Sequence, residues 1–180
     1  MYSNKSLKKY LDDLAAKKPS PGGGSAAALA GALGVALLSM VANFTVGKPK
    51  YKRFEKEIKK ILKLNQKIMK KLLELVDLDV ITYRKVAQNK KKSLALYQKS
   101  LKDATLVPLN ITQLSLQALK LCPILEKKGN KYLISDVYVA NELLRAAVKS
   151  AILNVKINLP YIKDKKFVAK VNKSLKSWRI

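Results

Sequence analysis

An aspartate interrupts the apolar stripe of a long predicted helix, and it is the residue in this sequence best suited to acid/base chemistry. Over residues 50 to about 89, apolar side chains repeat at steps of three or four and include Leu72, Val76 and Val86. Asp79 occupies a position where this pattern requires an apolar residue. A carboxylate in a core either has polar partners or a raised pKa, and both are typical of a general acid/base. The pattern also allows a solvated aspartate at a bend in the helix.

The composition limits the other chemistry available. The chain of 180 residues contains no histidine and a single cysteine, Cys122. A disulfide within one chain is therefore impossible. We also predict no metal site, because the commonest zinc ligands are missing.

A run of three glycines leads into a stretch of small apolar residues. Gly22, Gly23 and Gly24 come directly before Ser25 and the predicted start of a helix. A flexible backbone at a helix N-terminus presents unpaired N–H groups, which favour anionic ligands. The run differs from a Walker A loop, because no Lys-Ser or Lys-Thr pair follows the last glycine.

The stretch over residues 26–46 is long enough to cross a bilayer. We nevertheless predict a central core helix and no membrane partner, because alanine and glycine dominate and polar residues interrupt the second half. Glycines spaced four residues from alanines let neighbouring helix backbones approach closely. A single membrane anchor is the competing interpretation.

Two amides share a face of the last long predicted helix. Asn154 and Asn158 follow Ala147 and Ala151 at steps of three and four. Buried amides need hydrogen-bond partners. They either bridge helices or contact the polar edge of a bound heterocycle.

Helical periodicity accounts for nearly the whole chain, and no run of alternating β-branched residues indicates a strand. Pro108 and Pro123 should kink or divide the helical stretch over residues 94–126, because each lacks a backbone donor. We predict an all-α fold: a single-domain multi-helix bundle over residues 1–180, with long antiparallel helices and a central Ala/Gly-rich helix.

The charge balance leaves a second function class open. The 37 Lys and Arg residues outnumber 12 acidic residues, which gives a net charge of +25. The alternative to an enzyme is a basic helical protein that binds nucleic acid without catalysis. We do not expect nucleic acid as a partner, because arginine is rare and no binding motif is present. The N-terminus has no uninterrupted apolar segment, which predicts a cytoplasmic protein.

Four segments in the same order resemble the cyclodeaminase/cyclohydrolase family. They are PSPGGGSAAALAGALG with MVANFTVGK, LVDLDVITYRKV, ATLVPLNI, and SDVYVANELLRAAVKSAILNVKINL. The family includes the cyclodeaminase portion of formiminotransferase-cyclodeaminase and the stand-alone methenyltetrahydrofolate cyclohydrolases. The resemblance covers nearly the whole chain.

The resemblance implies an all-helical homodimer that acts on a tetrahydrofolate derivative as substrate, with no tightly bound cofactor. It leaves two reactions open. A cyclohydrolase adds water to the methenyl carbon and gives 10-formyltetrahydrofolate. A cyclodeaminase closes the formimino group through N10 and releases ammonia. One positioned acid/base group suits both reactions.

The resemblance also assigns candidate site residues. It implies Asp79 as the general acid/base. The matching segments supply a candidate substrate-binding set: Pro21, Gly22, Gly23, Gly24, Ser25, Asn43, Thr45, Lys48, Asp136, Asn154 and Asn158. The sequence departs from the family pattern over residues 88–99, where a Leu-Pro-Lys-like stretch is expected, so we assign no substrate contact there.

Overall fold

The structure, a computed structural model, describes residues 1–178. Residues 179 and 180, the end of the predicted domain, lie outside the described range. The described chain is helical throughout and has no strand, which confirms the all-α prediction. Its α-helices are α1 (Leu7–Ala15), α2 (Gly23–Asn43), α3 (Glu55–Lys90), α4 (Leu94–Leu119), α5 (Cys122–Lys128), α6 (Ile134–Asn158) and α7 (Lys165–Ser177).

The helix α2 forms the centre of the bundle, as its small residues predict. It packs mainly against α3 and α6, and α4 contacts all three. Gly34 lies so close to α6 that an added Cβ would be 2.7 Å from Cγ of Leu144. Although α2 is long and apolar enough to cross a membrane by length and composition, Ala28, Val35 and Leu38 are completely buried against its neighbours.

The long helix α3 begins later than its periodicity predicts. A short 3₁₀-helix over Pro49–Phe54 comes first, and the α-helix then runs from Glu55 to Lys90. Between the predicted helical stretches over residues 50 to about 89 and 94–126, the structure has a turn at residues 91–93. There the Ser93 side chain accepts a hydrogen bond from the amide of Leu96 and caps α4.

The two prolines of the following stretch behave differently. Pro123 lies in the first turn of α5 and separates it from α4, as predicted. Pro108 was predicted to kink or divide its helix, and it does not divide α4, which runs through it. Pro108 lacks the N–H that would bond to the carbonyl of Ala104, and Asn158 Nδ2 lies 3.4 Å from that oxygen. An amide from α6 therefore replaces the missing donor.

Candidate active site

The first turn of α2 meets the middle of α3 at Asp79. The backbone N–H of Ser25 donates to Oδ2 of Asp79 at 2.9 Å. At Gly24, an added Cβ would lie 2.1 Å from Oδ1 of the same carboxylate. The close approach of helix end and carboxylate therefore requires glycine at position 24. The N-terminal end of the helix dipole also favours a carboxylate there.

The surroundings of Asp79 favour its protonated form more than water does. Burial raises the pKa of its carboxyl above the ordinary value, and the N–H bond from Ser25 opposes that rise. A carboxyl with a raised pKa that still reaches a cavity is suited to both accept and return a proton.

Asp79 opens into a cavity of about 220 Å³ between four helices. The glycines at the start of α2 form one wall, α3 and α4 form two others, and the C-terminal part of α6 closes the ring. The lining residues are Pro19, Ser20, Gly22, Gly23, Gly24, Asp79, Thr82, Tyr83, Val86, Ala104, Pro108, Asn154, Ile157 and Asn158. Asp79 is the one carboxylate among them.

Both predicted amides reach this cavity. The Nδ2 group of Asn154 donates to the carbonyl of Ser150 at 2.9 Å, and its amide group lies beside Gly23. Asn158 uses its Nδ2 on Ala104. Within residues 1–178 neither Oδ1 atom accepts a hydrogen bond, so each is free to accept one from a ligand. Asn158 thus bridges helices and lines the cavity at once.

The remaining predicted binding residues fall into two groups. Ser25 and Pro21 lie buried behind the glycine wall. Asn43, Thr45, Lys48 and Asp136 do not line the cavity. Thr45 is buried and bonds to the carbonyl of Val41 and the amide of Asn130, a structural role at the far end of α2. The binding roles of these four residues stay predictions.

Several cavity residues were not among the sequence candidates. Thr82 and Tyr83 are three and four positions after Asp79 on α3, so helical spacing alone could have placed them near it. Ala104 and Pro108 belong to the ATLVPLNI segment, but nothing in that segment shows that it faces Asp79. Ile157 lies between the two amides of α6, is 65% exposed, and lines the same cavity.

Cys122 could also do chemistry, but it does not line the cavity. Cys122 is buried, and burial raises the pKa of its thiol to about 11, so the thiol stays protonated.

The divergent segment over residues 88–99 forms the end of α3, the turn and the start of α4, and none of it lines the cavity. The divergence therefore leaves the cavity wall intact.

Similarity to known proteins shows the family of the chain. The family model described as formiminotransferase-cyclodeaminase matches residues 6–177. The chain belongs to this family. Relatives similar over nearly the entire chain are named either for a cyclohydrolase or for a cyclodeaminase.

A methenyltetrahydrofolate cyclohydrolase from Methylorubrum extorquens AM1 is 36% identical, over 97% of this chain and 89% of the relative. A formimidoyltransferase-cyclodeaminase from Sus scrofa is 29% identical over 97% of this chain, which spans only 34% of that relative's length. The crystal structure of a formiminotetrahydrofolate cyclodeaminase from Thermotoga maritima superposes with a TM-score of 0.95 at 33% identity. That match covers 98% of this chain and 89% of the other. The nucleic-acid-binding alternative receives no support from these similarities.

Proposed function

We propose that this member of the family is a methenyltetrahydrofolate cyclohydrolase in which Asp79 is the general acid/base. One observation carries the proposal: a partly buried carboxylate with a raised pKa lies at a glycine-lined helix N-terminus and opens into a cavity. The choice of reaction is supported by the Methylorubrum relative, which is both more identical and closer in length than the mammalian one.

The ionised carboxylate suits the charge of the proposed substrate. The methenyl bridge carries a delocalised positive charge over N5, the bridging carbon and N10, and Asp79 is the one carboxylate in the cavity lining. Attraction between the two draws the electrophilic carbon toward Asp79. The Oδ1 atoms of Asn154 and Asn158 accept hydrogen bonds from the N–H groups of the pterin edge.

In the proposed reaction Asp79 relays one proton from the attacking water to N5, and a second proton leaves to solvent. Asp79 removes a proton from water as the water oxygen bonds to the methenyl carbon, which leaves a neutral tetrahedral carbon. The same carboxyl returns that proton to N5 as the bond between N5 and the carbon breaks, and the hydroxyl on that carbon loses its own proton to solvent as it becomes the formyl C=O. The product is 10-formyltetrahydrofolate, and Asp79 is ionised again.

A formiminotetrahydrofolate cyclodeaminase is the second candidate, favoured by the similarity to the Thermotoga structure. In that reaction Asp79 would take the proton from N10 as it attacks the formimino carbon. With the formimino nitrogen already protonated in the substrate, Asp79 would then give this proton to the same nitrogen as it leaves as ammonia. The same single carboxyl serves both mechanisms, so the cavity geometry alone is compatible with either.

Parallel assays separate the two reactions. The purified chain is incubated with 5,10-methenyltetrahydrofolate and, separately, with 5-formiminotetrahydrofolate, and the absorbance of the methenyl species is followed. Loss of this absorbance with the first substrate, faster than in buffer, supports the cyclohydrolase. Its appearance with the second substrate supports the cyclodeaminase. No turnover of either substrate overturns the proposal.

We also propose that two copies of the chain form a homodimer through the outer face of α2 and the neighbouring edge of α6. The 21 residues of α2 include no charged side chain. Leu33 on this helix and Phe44 directly after it are 52% and 53% exposed, and Leu153 and Ile157 on α6 are also exposed. An apolar surface of this kind on a strongly charged protein favours burial against a second copy. Sedimentation equilibrium of the purified chain tests the dimer.

A further inference from the structure

A buried pair of hydroxyl groups lies directly behind the candidate site. Oη of Tyr10 on α1 is 3.1 Å from Oγ of Ser25 on α2. Ser25 is completely buried, and Tyr10 is 4% exposed. The same Ser25 donates its backbone N–H to Asp79. The tyrosine is therefore one residue removed from the candidate acid/base.

The start of α2 needs an external restraint. Gly22 is the N-cap residue, and no side chain caps the helix. Gly23 and Gly24 follow, and glycine restricts its own backbone less than any other residue. Ser25 is the first residue of α2 whose side chain can be held by another helix. Within residues 1–178 the hydroxyl of Tyr10 is the one hydrogen-bond partner of the Ser25 hydroxyl.

Tyr10 is itself held in place by the first residues of the chain. The ring of Tyr2 packs edge-on against the ring of Tyr10, with centroids 5.4 Å apart. Asp77 fixes this segment because its carboxylate accepts from the amides of Tyr2 and Ser3, and from the Ser3 hydroxyl at 2.6 Å. These contacts link Asp77 of α3 to the N-terminal segment and to Tyr10 of α1. From Tyr10 they continue through Ser25 of α2 to Asp79 of α3.

We propose that Tyr10 is a positioning residue for Asp79, acting through the side chain of Ser25. It sets the position of the first turn of α2 and thereby the length of the hydrogen bond between the Ser25 amide and the carboxylate. The proposal rests on the proposed function for its kinetic consequences, but the hydrogen-bond path itself is independent of which folate reacts.

The hydrogen bonds from Tyr10 through Ser25 influence the pKa of Asp79. The Ser25 amide stabilises the ionised carboxylate, so loosening this bond raises the pKa of Asp79 further. The titratable groups facing Asp79 are few: Tyr10 from α1 and Tyr83, a cavity-lining residue of α3. The residues that α2, α4 and α6 contribute to the cavity are uncharged. Arg84 of α3 is directed to Oγ of Ser20 at the rim.

The test compares Tyr10→Phe, Ser25→Ala and the double variant with the wild-type protein. Tyr10→Phe keeps the ring and removes only the hydroxyl. We expect kcat to fall about fivefold, the scale of one hydrogen bond, with KM changed less than about twofold. The acid limb of the kcat profile should move to higher pH. The double variant should be no worse than the more impaired single variant, because both remove the same contact.

A titration of the Asp79 carboxyl by ¹³C NMR gives a readout that does not need activity. We expect a higher pKa in Tyr10→Phe and no change in Tyr161→Phe, a control at a tyrosine that is 62% exposed. An unchanged Asp79 pKa in a folded Tyr10→Phe variant overturns the proposal, even if the melting temperature falls.

Ser25→Ala tests the same contact from the α2 side if Tyr10→Phe does not fold. Failure of both variants to fold would make the pair a structural feature only and would also overturn the proposal. An inactive wild-type chain would instead overturn the proposed function, and the NMR comparison would still test the role of Tyr10.

Discussion

Asp77 and Asp79 lie two residues apart on α3 and face different parts of the molecule. Asp77 is 6% exposed and accepts three hydrogen bonds from Tyr2 and Ser3, so its carboxylate is fully occupied. Asp79 accepts one recorded bond, from Ser25, and lines the cavity. A step of two residues turns a helix by about 200°. The helical period alone therefore separates a structural carboxylate from one that can exchange a proton.

Replacing Asp79 by asparagine should remove the proton transfer and leave the cavity shape intact. We expect Asp79→Asn to lower kcat by at least about a hundredfold, the lower scale for loss of a general acid/base. Steady-state kinetics with the substrate that the wild-type chain turns over measures the effect. Asp103→Asn is the matched control, because Asp103 is an exposed residue of α4 outside the cavity lining. Wild-type turnover by Asp79→Asn would assign the proton transfer to another group.

The same substitution should stabilise the folded chain at neutral pH. The pKa of Asp79 is raised in the folded state, mainly by burial. The folded chain therefore binds a proton at Asp79 more tightly than the unfolded chain does. The protonated carboxyl contributes stability below the unfolded pKa, and this contribution is lost as pH rises through the folded pKa. Asp79→Asn carries no ionised group, so its melting temperature should exceed that of the wild type at pH 7. The difference should disappear below about pH 4, the unfolded pKa of aspartate. A variant that is less stable at pH 7 would contradict this assignment.

The glycines before Ser25 should differ sharply in their tolerance of a methyl group. At Gly24 an added Cβ would be 2.1 Å from Oδ1 of Asp79, whereas at Gly22 nothing lies within 4 Å. We expect Gly24→Ala to displace the carboxylate or the helix end and to lose at least tenfold more kcat/KM than Gly22→Ala. Such losses are typical when a reacting group moves by about 1 Å. Equal losses in the two variants would show that Asp79 does not need this close approach.

The sequence located some of the site but could not assemble it. Asp79 was predictable because it breaks an apolar stripe, and Asn154 because it follows alanines at helical spacing. Asn43 and Lys48 lie outside this cavity, and their binding roles stay predictions. Matching segments give the order of residues along a chain and not their separation in space. The 21-residue helix α2 spans about 30 Å, so its two ends cannot line one small cavity.

At the scale of helices, periodicity predicted nearly every element, and tertiary contacts decided the exceptions. The rule that proline ends a helix failed at Pro108 because Asn158, fifty residues later in the chain, supplies a donor to Ala104. No local pattern contains that information. The rule held at Pro123, which lies in the first turn of α5, where a proline N–H is not needed.

A second polar intrusion on α3 makes a prediction about stability. Asn65 is completely buried on the core stripe, and within residues 1–178 neither amide atom has a hydrogen-bond partner. A buried amide without partners costs about 1–3 kcal/mol. Asn65→Leu has a similar volume and should raise the free energy of unfolding by that amount, measured by urea denaturation.

Asn110→Leu is the control for this substitution. Asn110 is exposed on α4, so the same chemical change there should alter stability by less than about 0.5 kcal/mol. Destabilisation by Asn65→Leu would show that the amide has a partner, such as a buried water molecule.

Charge and apolar surface are distributed unevenly over the whole molecule. The net charge is +25, yet α2 has no charged side chain. Two copies repel one another through most of their surfaces, and this repulsion weakens as salt screens it. The uncharged outer face of α2 is where two copies can approach with the least electrostatic cost. Ile157, on α6, is both exposed and part of the cavity lining, so a dimer that covered this residue would border the candidate site.

Association should therefore respond to salt and to a charge placed on α2. We expect the proposed dimer of the wild-type chain to become tighter as ionic strength rises, because screening reduces the repulsion. Leu33→Lys buries an unpaired charge at the proposed contact and should weaken the dimer more than tenfold, the scale of an interface hot spot. Leu94→Lys, at a residue 58% exposed on α4, adds the same charge away from α2 and should change the dimer dissociation constant much less. Sedimentation velocity over a range of concentrations measures all three proteins. A lysine ammonium buried in an apolar interface loses its hydration, which weakens association. A dimer unaffected by Leu33→Lys would therefore place the contact on another surface.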